Sequence, residues 1–273
     1  MMWQGQMSIR PYGDEMEKAK INGINLACER RGKGAPLVLI HGYPLDHTTW
    51  DEAVPLLEKD FDVILPDLRG LGNSEAVTSI YTVADLASDI AGLLDHLKIK
   101  SAFIAGHSMG GYVALAFARA YPERVRGLAM ISSQMLADAP DRKEDRYKSA
   151  AEVAEKGVGV VADALTSKLT ANARVQTFVH DLMAKQKPAG AIGSLKAMAE
   201  RPDSSDSFAK FNFPVLIVHG DADALIPVER GREMKVALPS ANYVELPGLG
   251  HMPMIENPQA VADALKFFVK AKG

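Results

Sequence analysis

Cysteine is almost absent from this chain of 273 residues, and its scarcity excludes several kinds of protein. The single cysteine, Cys28, has no partner in the chain for an internal disulfide. A disulfide-stapled scaffold and a metal cluster built on cysteines are therefore both excluded. We interpret Cys28 as a buried thiol within a strand, so core packing has to stabilise the fold.

Long apolar runs and clusters of basic residues are also lacking. The apolar runs, such as residues 37–40 and 215–218, are too short to span a bilayer. The N-terminus shows no charged start followed by an apolar signal-peptide core, so we expect a cytoplasmic location. A formal net charge of −3 gives no general attraction to nucleic acid or to anionic lipid. We therefore expect neither nucleic acid nor a membrane as a partner.

The composition that remains is ordinary for a soluble globular protein. Hydrophobic residues make up 47% of the chain and charged residues 24%, which is enough for one large core. Residues 1–17 show no hydrophobic period, and we expect a loose tail there.

Short apolar runs alternate with segments of helical spacing along the chain. Asn22-Gly23 predicts the turn of a β-hairpin, because both residues tolerate positive φ. The later runs are typical of strands buried on both faces of a parallel sheet. We expect strands at residues 18–21, 24–29, 36–40, 63–66, 102–105, 128–131, 214–218 and 243–246, and helices at residues 49–57, 83–97, 110–121, 229–238 and 258–269. The pattern predicts an α/β fold: a mostly parallel eight-stranded sheet with helices on both faces.

The alternation stops between residues 133 and 211, where helical stretches occur without a strand. We expect helices at residues 149–156, 160–169, 175–184 and 191–200, forming a helical insertion between two core segments, 18–132 and 212–273. An insertion at the carboxyl end of a strand would cover the site as a cap, or lid. The alternative is a set of extra helices packed against the side of the sheet.

A Gly-x-Ser-x-Gly motif, Gly106-His107-Ser108-Met109-Gly110, lies between a predicted strand and a predicted helix. The motif alone is a weak signal, but this context is specific to a nucleophile on a tight strand-to-helix turn. The glycines give the space that such a turn needs, and the helix N-terminus favours a developing negative charge. A structural Gly-Ser turn is the less favoured alternative. We therefore predict Ser108 as a nucleophile.

A serine nucleophile needs a base and an acid that orients the base. Of the seven histidines, only His251 lies on a glycine-rich loop directly after a predicted strand. His41, His107 and His219 lie at strand ends or within the motif, and His47, His96 and His180 lie on helical or solvent-like stretches. Asp221 and Asp223 follow another buried strand, and we predict that Asp223 orients His251 while Asp221 serves the turn.

The chain at this point resembles the α/β-hydrolase family, from about Lys18 to the C-terminus. His41-Gly42-Tyr43-Pro44 resembles the family's oxyanion loop, and the segment at residues 67–74 resembles its D-x-R-G-x-G-x-S loop. Gly220-x-x-Asp223-x-x-x-Pro227 and the order Ser, Asp, His match as well. The resemblance implies an oxyanion hole made by the backbone N–H groups of Tyr43 and Met109, and a cap domain.

Within the family, the chain looks similar to the esterase and 3-oxoadipate enol-lactonase branch. We expect a serine hydrolase that cleaves small carboxylic esters or lactones through an acyl-enzyme on Ser108, with no metal and no cofactor. The alternatives are a cofactor-free haloperoxidase or perhydrolase, and a ligand receptor that retains the fold. Dehalogenases and epoxide hydrolases of this fold use an aspartate where this chain has Ser108, which disfavours both.

Two further patterns have ordinary explanations. Residues 138–148 are dense in charges of both signs, and we expect a solvated start to the cap. The stretch Gly157-Val-Gly-Val-Val-Ala162 satisfies the dinucleotide fingerprint formally, but it follows a charged helical segment instead of a strand. We interpret it as a junction between helices.

Overall fold

The fold is built on one eight-stranded sheet in the order β1-β2-β4-β3-β5-β6-β7-β8. The structure is a computed structural model that describes residues 16–270. The strands β1 to β8 are Glu17–Ile21, Ile24–Gly32, Ala35–Ile40, Phe61–Pro66, Ala102–His107, Val125–Ile131, Val215–Gly220 and Asn242–Leu246. β2 pairs antiparallel with β1 and β4, whereas all other pairs are parallel. The predicted mostly parallel eight-stranded sheet is confirmed.

The chain enters the sheet through the predicted hairpin. Asn22 and Gly23 have φ of 48° and 84°, the positive values that a two-residue hairpin turn of type I′ requires. The turn sets Ile21 opposite Ile24. Of the predicted N-terminal tail, residues 1–15 lie outside the described residues, and Glu17 is the first residue of β1.

Helices cover both faces of the sheet. β5 and β7 are buried along their whole length, as expected for strands with a covered face on each side. Residues alternate between two cores along β3, where Val38 and Ile40 face one core and Leu37 and Leu39 face the other. The first core includes side chains of α2 and α3, and the second includes side chains of α1 and α11. These helices are α1 (Val54–Leu57), α2 (Val83–His96), α3 (Met109–Ala120) and α11 (Pro258–Lys270).

Five helices fill the segment between β6 and β7, as the sequence predicted in outline. They are α4 (Pro140–Lys156), α5 (Gly159–Leu169), α6 (Ala173–Ala184), α7 (Pro188–Ala199) and α8 (Ser205–Phe208). α4 begins nine residues before the predicted start, with Pro140 at its first position and Asp141 in its first turn. Gly157, with φ of 84°, separates α4 from α5, so the fingerprint-like stretch is a helix junction.

The inserted helices contact the loops at the carboxyl ends of the strands. Gln186 donates to Asp46 (3.2 Å) and accepts from the backbone N–H of Gly72 (2.8 Å), and Leu169 accepts from the N–H of His251 (2.8 Å). α9 (Glu229–Ala237) and α10 (Pro253–Glu256) complete the helices that follow β7. Among residues 16–270, no helix combines the length and the apolar character needed to cross a membrane.

Candidate active site

Ser108 lies on the sharp turn between β5 and α3. Its φ of 51° and ψ of −116° fall in a region that side chains rarely adopt. Gly106 and Gly110 permit this turn, since a Cβ at Gly106 would overlap the carbonyl of Gly110 and a Cβ at Gly110 would overlap that of Ile40. The strained turn brings a half-buried serine to the wall of a cavity.

His251 and Asp223 form a buried pair beside this turn. Nδ1 of His251 lies 2.7 Å from Oδ2 of Asp223, while Oδ1 of Asp223 accepts the backbone N–H groups of Leu225 and Ile226 (2.9 Å each). Burial alone would raise the pKa of Asp223, but His251 and His219 hold it well below its usual range. An ionised Asp223 requires the proton of the neutral imidazole to be on Nδ1, which leaves Nε2 as a base.

The backbone of His251 is fixed from two sides. Its N–H donates to Leu169, and its carbonyl accepts the Nε2–H of His107 (2.8 Å). The rings of His107 and His251 have centroids 4.9 Å apart. Burial lowers the pKa of His107 to about 3, so this imidazole is neutral and can donate from Nε2 alone. Nε2 of His251 is buried and has no hydrogen-bond partner within residues 16–270.

The loop after β3 crosses directly over the serine. A Cβ at Gly42 would lie 3.2 Å from Cβ of Ser108, so the backbone at Gly42 and Tyr43 passes close to the hydroxyl. His41 holds this loop: its Nε2 accepts the N–H of Leu68 (2.9 Å), and its Nδ1–H donates to the carbonyl of Gly42 (2.8 Å). Met109 is the first residue of α3, where backbone N–H groups lack an intrahelical acceptor.

A cavity of about 390 Å³ opens over Ser108 and Tyr43. Its other walls come mainly from the inserted helices, including Arg146 of α4, Leu165 of α5 and Met198 of α7. A substrate in this cavity would therefore contact both the core and the insertion.

Comparison with known proteins agrees with this geometry. A family model for the alpha/beta hydrolase fold matches residues 35–258. The chain belongs to the α/β-hydrolase family. It is similar to an esterase from Thermogutta terrifontis, with 34% identity, a TM-score of 0.90 and coverage of 94% of this chain and 98% of that one. It is also similar to the enol-lactonase from Burkholderia xenovorans LB400, with 28% identity, a TM-score of 0.86 and coverage of 93% and 100%.

A third similar structure is that of an enzyme with a different activity. The bromoperoxidase from Bacillus anthracis has 26% identity to this α/β-hydrolase and a TM-score of 0.84, over 94% of this chain and all of that one. The expected membership in the esterase and enol-lactonase branch is thus supported, and the neighbours include an oxidative activity as well.

The structure refines two sequence-based interpretations of this α/β-hydrolase. His47, expected on a helical or solvent-like stretch, begins a short helix at residues 47–50 and is buried, with Nδ1 2.6 Å from Asp67 and Nε2 3.4 Å from Glu29. Most of residues 138–148 are exposed, as expected, but the side chains of Asp138 and Arg146 are only 2% and 12% exposed. In both places a partner of opposite charge makes the burial possible.

Several residues at this site were not singled out for a role by the sequence. The link from His107 to the carbonyl of His251 depends on tertiary structure and has no sequence signal. The inward position of Arg146 does have a sequence signal. Arg146, Ala150 and Val153 follow the i, i+4, i+7 spacing of one helix face. Asp221 contacts the neighbouring turn, where it accepts the N–H of Gly248 (2.6 Å).

Proposed function

We propose that this α/β-hydrolase cleaves small carboxylic esters or lactones, with Ser108 as the nucleophile, His251 as the base and Asp223 as the residue that orients His251. The unpartnered Nε2 of His251 carries this proposal. It is the acceptor that a serine hydroxyl requires, and in the neutral imidazole the Asp223 contact puts the proton on Nδ1 and leaves Nε2 as that acceptor.

In the proposed reaction, Oγ of Ser108 attacks the carbonyl carbon of the substrate while its proton passes to Nε2 of His251. The C–O bond to the leaving alcohol then breaks, and the imidazolium returns the proton to that alkoxide. Water attacks the resulting acyl-enzyme with His251 again as base, which releases the carboxylic acid and restores Ser108. In a lactone the leaving alcohol stays part of the product.

Two backbone N–H groups are proposed to stabilise the negative oxygen of each tetrahedral intermediate. The N–H of Met109 points from the N-terminus of α3, where the helix dipole adds positive potential, and that of Tyr43 lies on the loop over Ser108. We further propose that residues 133–211 form the cap, because the cavity above Ser108 takes most of its wall from them.

Hydrolysis of p-nitrophenyl butyrate by the wild type and by Ser108→Ala tests the proposal. We expect the alanine variant to lose activity by at least about 10³-fold while it keeps its melting temperature, since the Ser108 hydroxyl makes no internal hydrogen bond within the described residues. Ser79→Ala, in an exposed loop, is the matched control and should retain full rate. Full activity in Ser108→Ala would assign the nucleophile to another residue.

Perhydrolysis is a second candidate, favoured by the similarity to a bromoperoxidase. Hydrogen peroxide would replace water in the attack on the acyl-enzyme and would give a peracid from the same residues. Adding peroxide to the ester assay and titrating peracid separates the two reactions. A peracid yield that exceeds the carboxylic acid yield would favour the perhydrolase.

A further inference from the structure

The hydroxyl group of Tyr43 is buried without a partner. Its oxygen has no hydrogen bond within residues 16–270, and the residue, which lines the cavity with Ser108, is 9% exposed. Burial raises the pKa of Tyr43, so the group is a donor and not a phenolate. A buried hydroxyl without a partner is unfavourable, and an acceptor oxygen of a ligand in the cavity would relieve this cost.

A buried cluster of three charges lies in the cap next to this hydroxyl. Asp138 pairs with both Arg146 and Arg201, the latter at 2.8 Å. Burial alone would raise the pKa of Asp138, but the two guanidinium groups hold it below its usual range. The cluster therefore has one negative and two positive charges. A buried positive charge without a counter-ion is costly, so the cluster favours an anion at Arg146, its member that lines the cavity.

Arg146 has one donor that is poorly used. Its Nε and Nη2 donate to Asp138, whereas within residues 16–270 the acceptor of its Nη1 is the sulfur of Met198, at 3.4 Å. A thioether is a weak acceptor, so a ligand oxygen would be a better partner for this N–H group. Arg146 lines the cavity and is close enough for its charge to act on the phenol of Tyr43.

The other charges around the cavity do not cancel this preference. Its wall includes three further basic residues and two acidic ones, all exposed: Arg142, Lys148, Lys168, Asp145 and Glu152. Lys148 pairs with Glu144 at 2.8 Å and lies 4.0 Å from Asp145, so these exposed charges nearly balance, and water screens them. Asp203 is within electrostatic reach of Arg201, but it is exposed to water, which screens its charge.

From these contacts we infer that the substrate carries a carboxylate in addition to the ester or lactone bond, and that Arg146 and Tyr43 bind it. A guanidinium group presents planar paired donors that match a carboxylate, and the phenol supplies a further donor. The inference rests on the proposed function for the position of the reacting bond, but the binding of the carboxylate can be measured without turnover.

Binding to Ser108→Ala is the first test, because this background cannot consume the ligand by the proposed route. Monomethyl esters of succinate, glutarate and adipate are titrated against the corresponding dimethyl esters, which lack the carboxylate. We expect at least one monomethyl ester to bind about tenfold more tightly than its dimethyl ester. Equal affinity in all three pairs would overturn the inference.

Variants then assign the binding residues. Tyr43→Phe removes only the unpartnered hydroxyl and leaves every internal hydrogen bond in place, so its fold should be intact. Arg146→Gln leaves Asp138 paired with Arg201. We expect each change to reduce the affinity ratio of monomethyl to dimethyl ester by about three- to tenfold or more. Arg174→Gln, which removes a cap charge outside this cavity, should keep the wild-type ratio. An unchanged ratio in both Tyr43→Phe and Arg146→Gln would overturn the assignment.

Turnover by the wild type separates this inference from the proposed function. If the dimethyl esters are hydrolysed with a kcat/KM equal to or above that of the monomethyl esters, the hydrolase stands and the carboxylate preference is wrong. If neither set is hydrolysed while the preference in binding remains, the anion site stands and the proposed reaction is wrong.

Discussion

Asp223 uses its two carboxylate oxygens for different purposes. Oδ1 accepts two backbone N–H groups of its own loop, and Oδ2 faces Nδ1 of His251. The first contacts fix the position of the carboxylate, and the last fixes the tautomer of the imidazole. Removing the whole side chain would therefore disturb the loop and the site together. Replacing the carboxylate by an amide would change mainly the tautomer of His251.

Asp223→Asn should lower kcat by about 10⁴-fold with little change in melting temperature, as the equivalent change does in a serine protease. The amide can present a donor to Nδ1 and so favours the tautomer in which Nε2 is protonated. Asp221→Asn is the matched control, because the Asp221 carboxylate accepts the N–H of Gly248 in the neighbouring turn, and we expect this change to cost under about tenfold in rate. Steady-state kinetics with one ester measures both. The opposite ranking would make Asp221 the orienting acid.

Residues of the proposed site were predictable from the sequence to different degrees. Ser108, Asp223 and His251 stand in motifs whose backbone requirements are readable, such as glycines at a tight turn. The contact of His107 with the carbonyl of His251 and the unpartnered hydroxyl of Tyr43 depend on which loops meet in space. No local pattern contains that information, so these two features required the structure.

A close backbone contact joins the inserted helices to the core. Gly190 of α7 packs against the backbone of Gly70, and a Cβ at Gly190 would overlap the carbonyl of Gly70. Because this contact joins two backbone segments, it cannot open without a shift of α7 or of the loop at residues 67–74. This loop carries Asp67, which also holds His47.

Gly190→Ala should therefore destabilise the protein by about 1–3 kcal/mol, the usual cost of overpacking. Gly159→Ala offers a control in the same insertion, since a Cβ there meets nothing within 4 Å. A helix prefers alanine to glycine, so the control should be neutral or stabilising by up to about 1 kcal/mol. Urea unfolding gives both values. Equal effects of the two changes would show that the Gly70 contact is unimportant.

His47 links the short helix after β3 to the loop after β4, and its charge makes this link depend on pH. Burial alone would lower the pKa of His47, but Asp67 and other carboxylates nearby outweigh burial and raise it. A raised folded-state pKa means that the stabilisation is complete below the unfolded value of about 6.5 and is lost as pH rises through the folded value. The lowered pKa of Asp67 reports the same pair from the acid side.

Wild-type protein should accordingly lose free energy of unfolding as pH rises above about 6.5, and His47→Gln should lose less over the same range. His96→Gln removes an exposed histidine paired with Glu17 and should leave the slope close to that of the wild type. Denaturant melts at several pH values between about 6 and 9 give the slopes. An identical slope in wild type and His47→Gln would show that the His47–Asp67 pair does not cause the pH dependence of stability.

For the molecule as a whole, the order of strands and helices was readable because central strands such as β5 and β7 are apolar runs buried along their whole length in a parallel sheet. The hairpin follows instead from the positive φ that Asn22 and Gly23 tolerate. The placement of the insertion was less accessible, since it meets the core through contacts between residues far apart in sequence, such as Gly70 with Gly190. The burial of Asp138, just before α4, could not be predicted for the same reason: its partner Arg201 lies more than 50 residues away along the chain.

In the proposed reaction Ser108 carries the acyl group during turnover. Mixing the enzyme with excess p-nitrophenyl butyrate, quenching in acid and digesting the protein would locate that group by mass spectrometry. We expect one butyryl group on the peptide that contains Ser108 and none on that peptide in Ser108→Ala. Continued turnover by Ser108→Ala, or a butyryl group on another residue that is required for turnover, would contradict the claim.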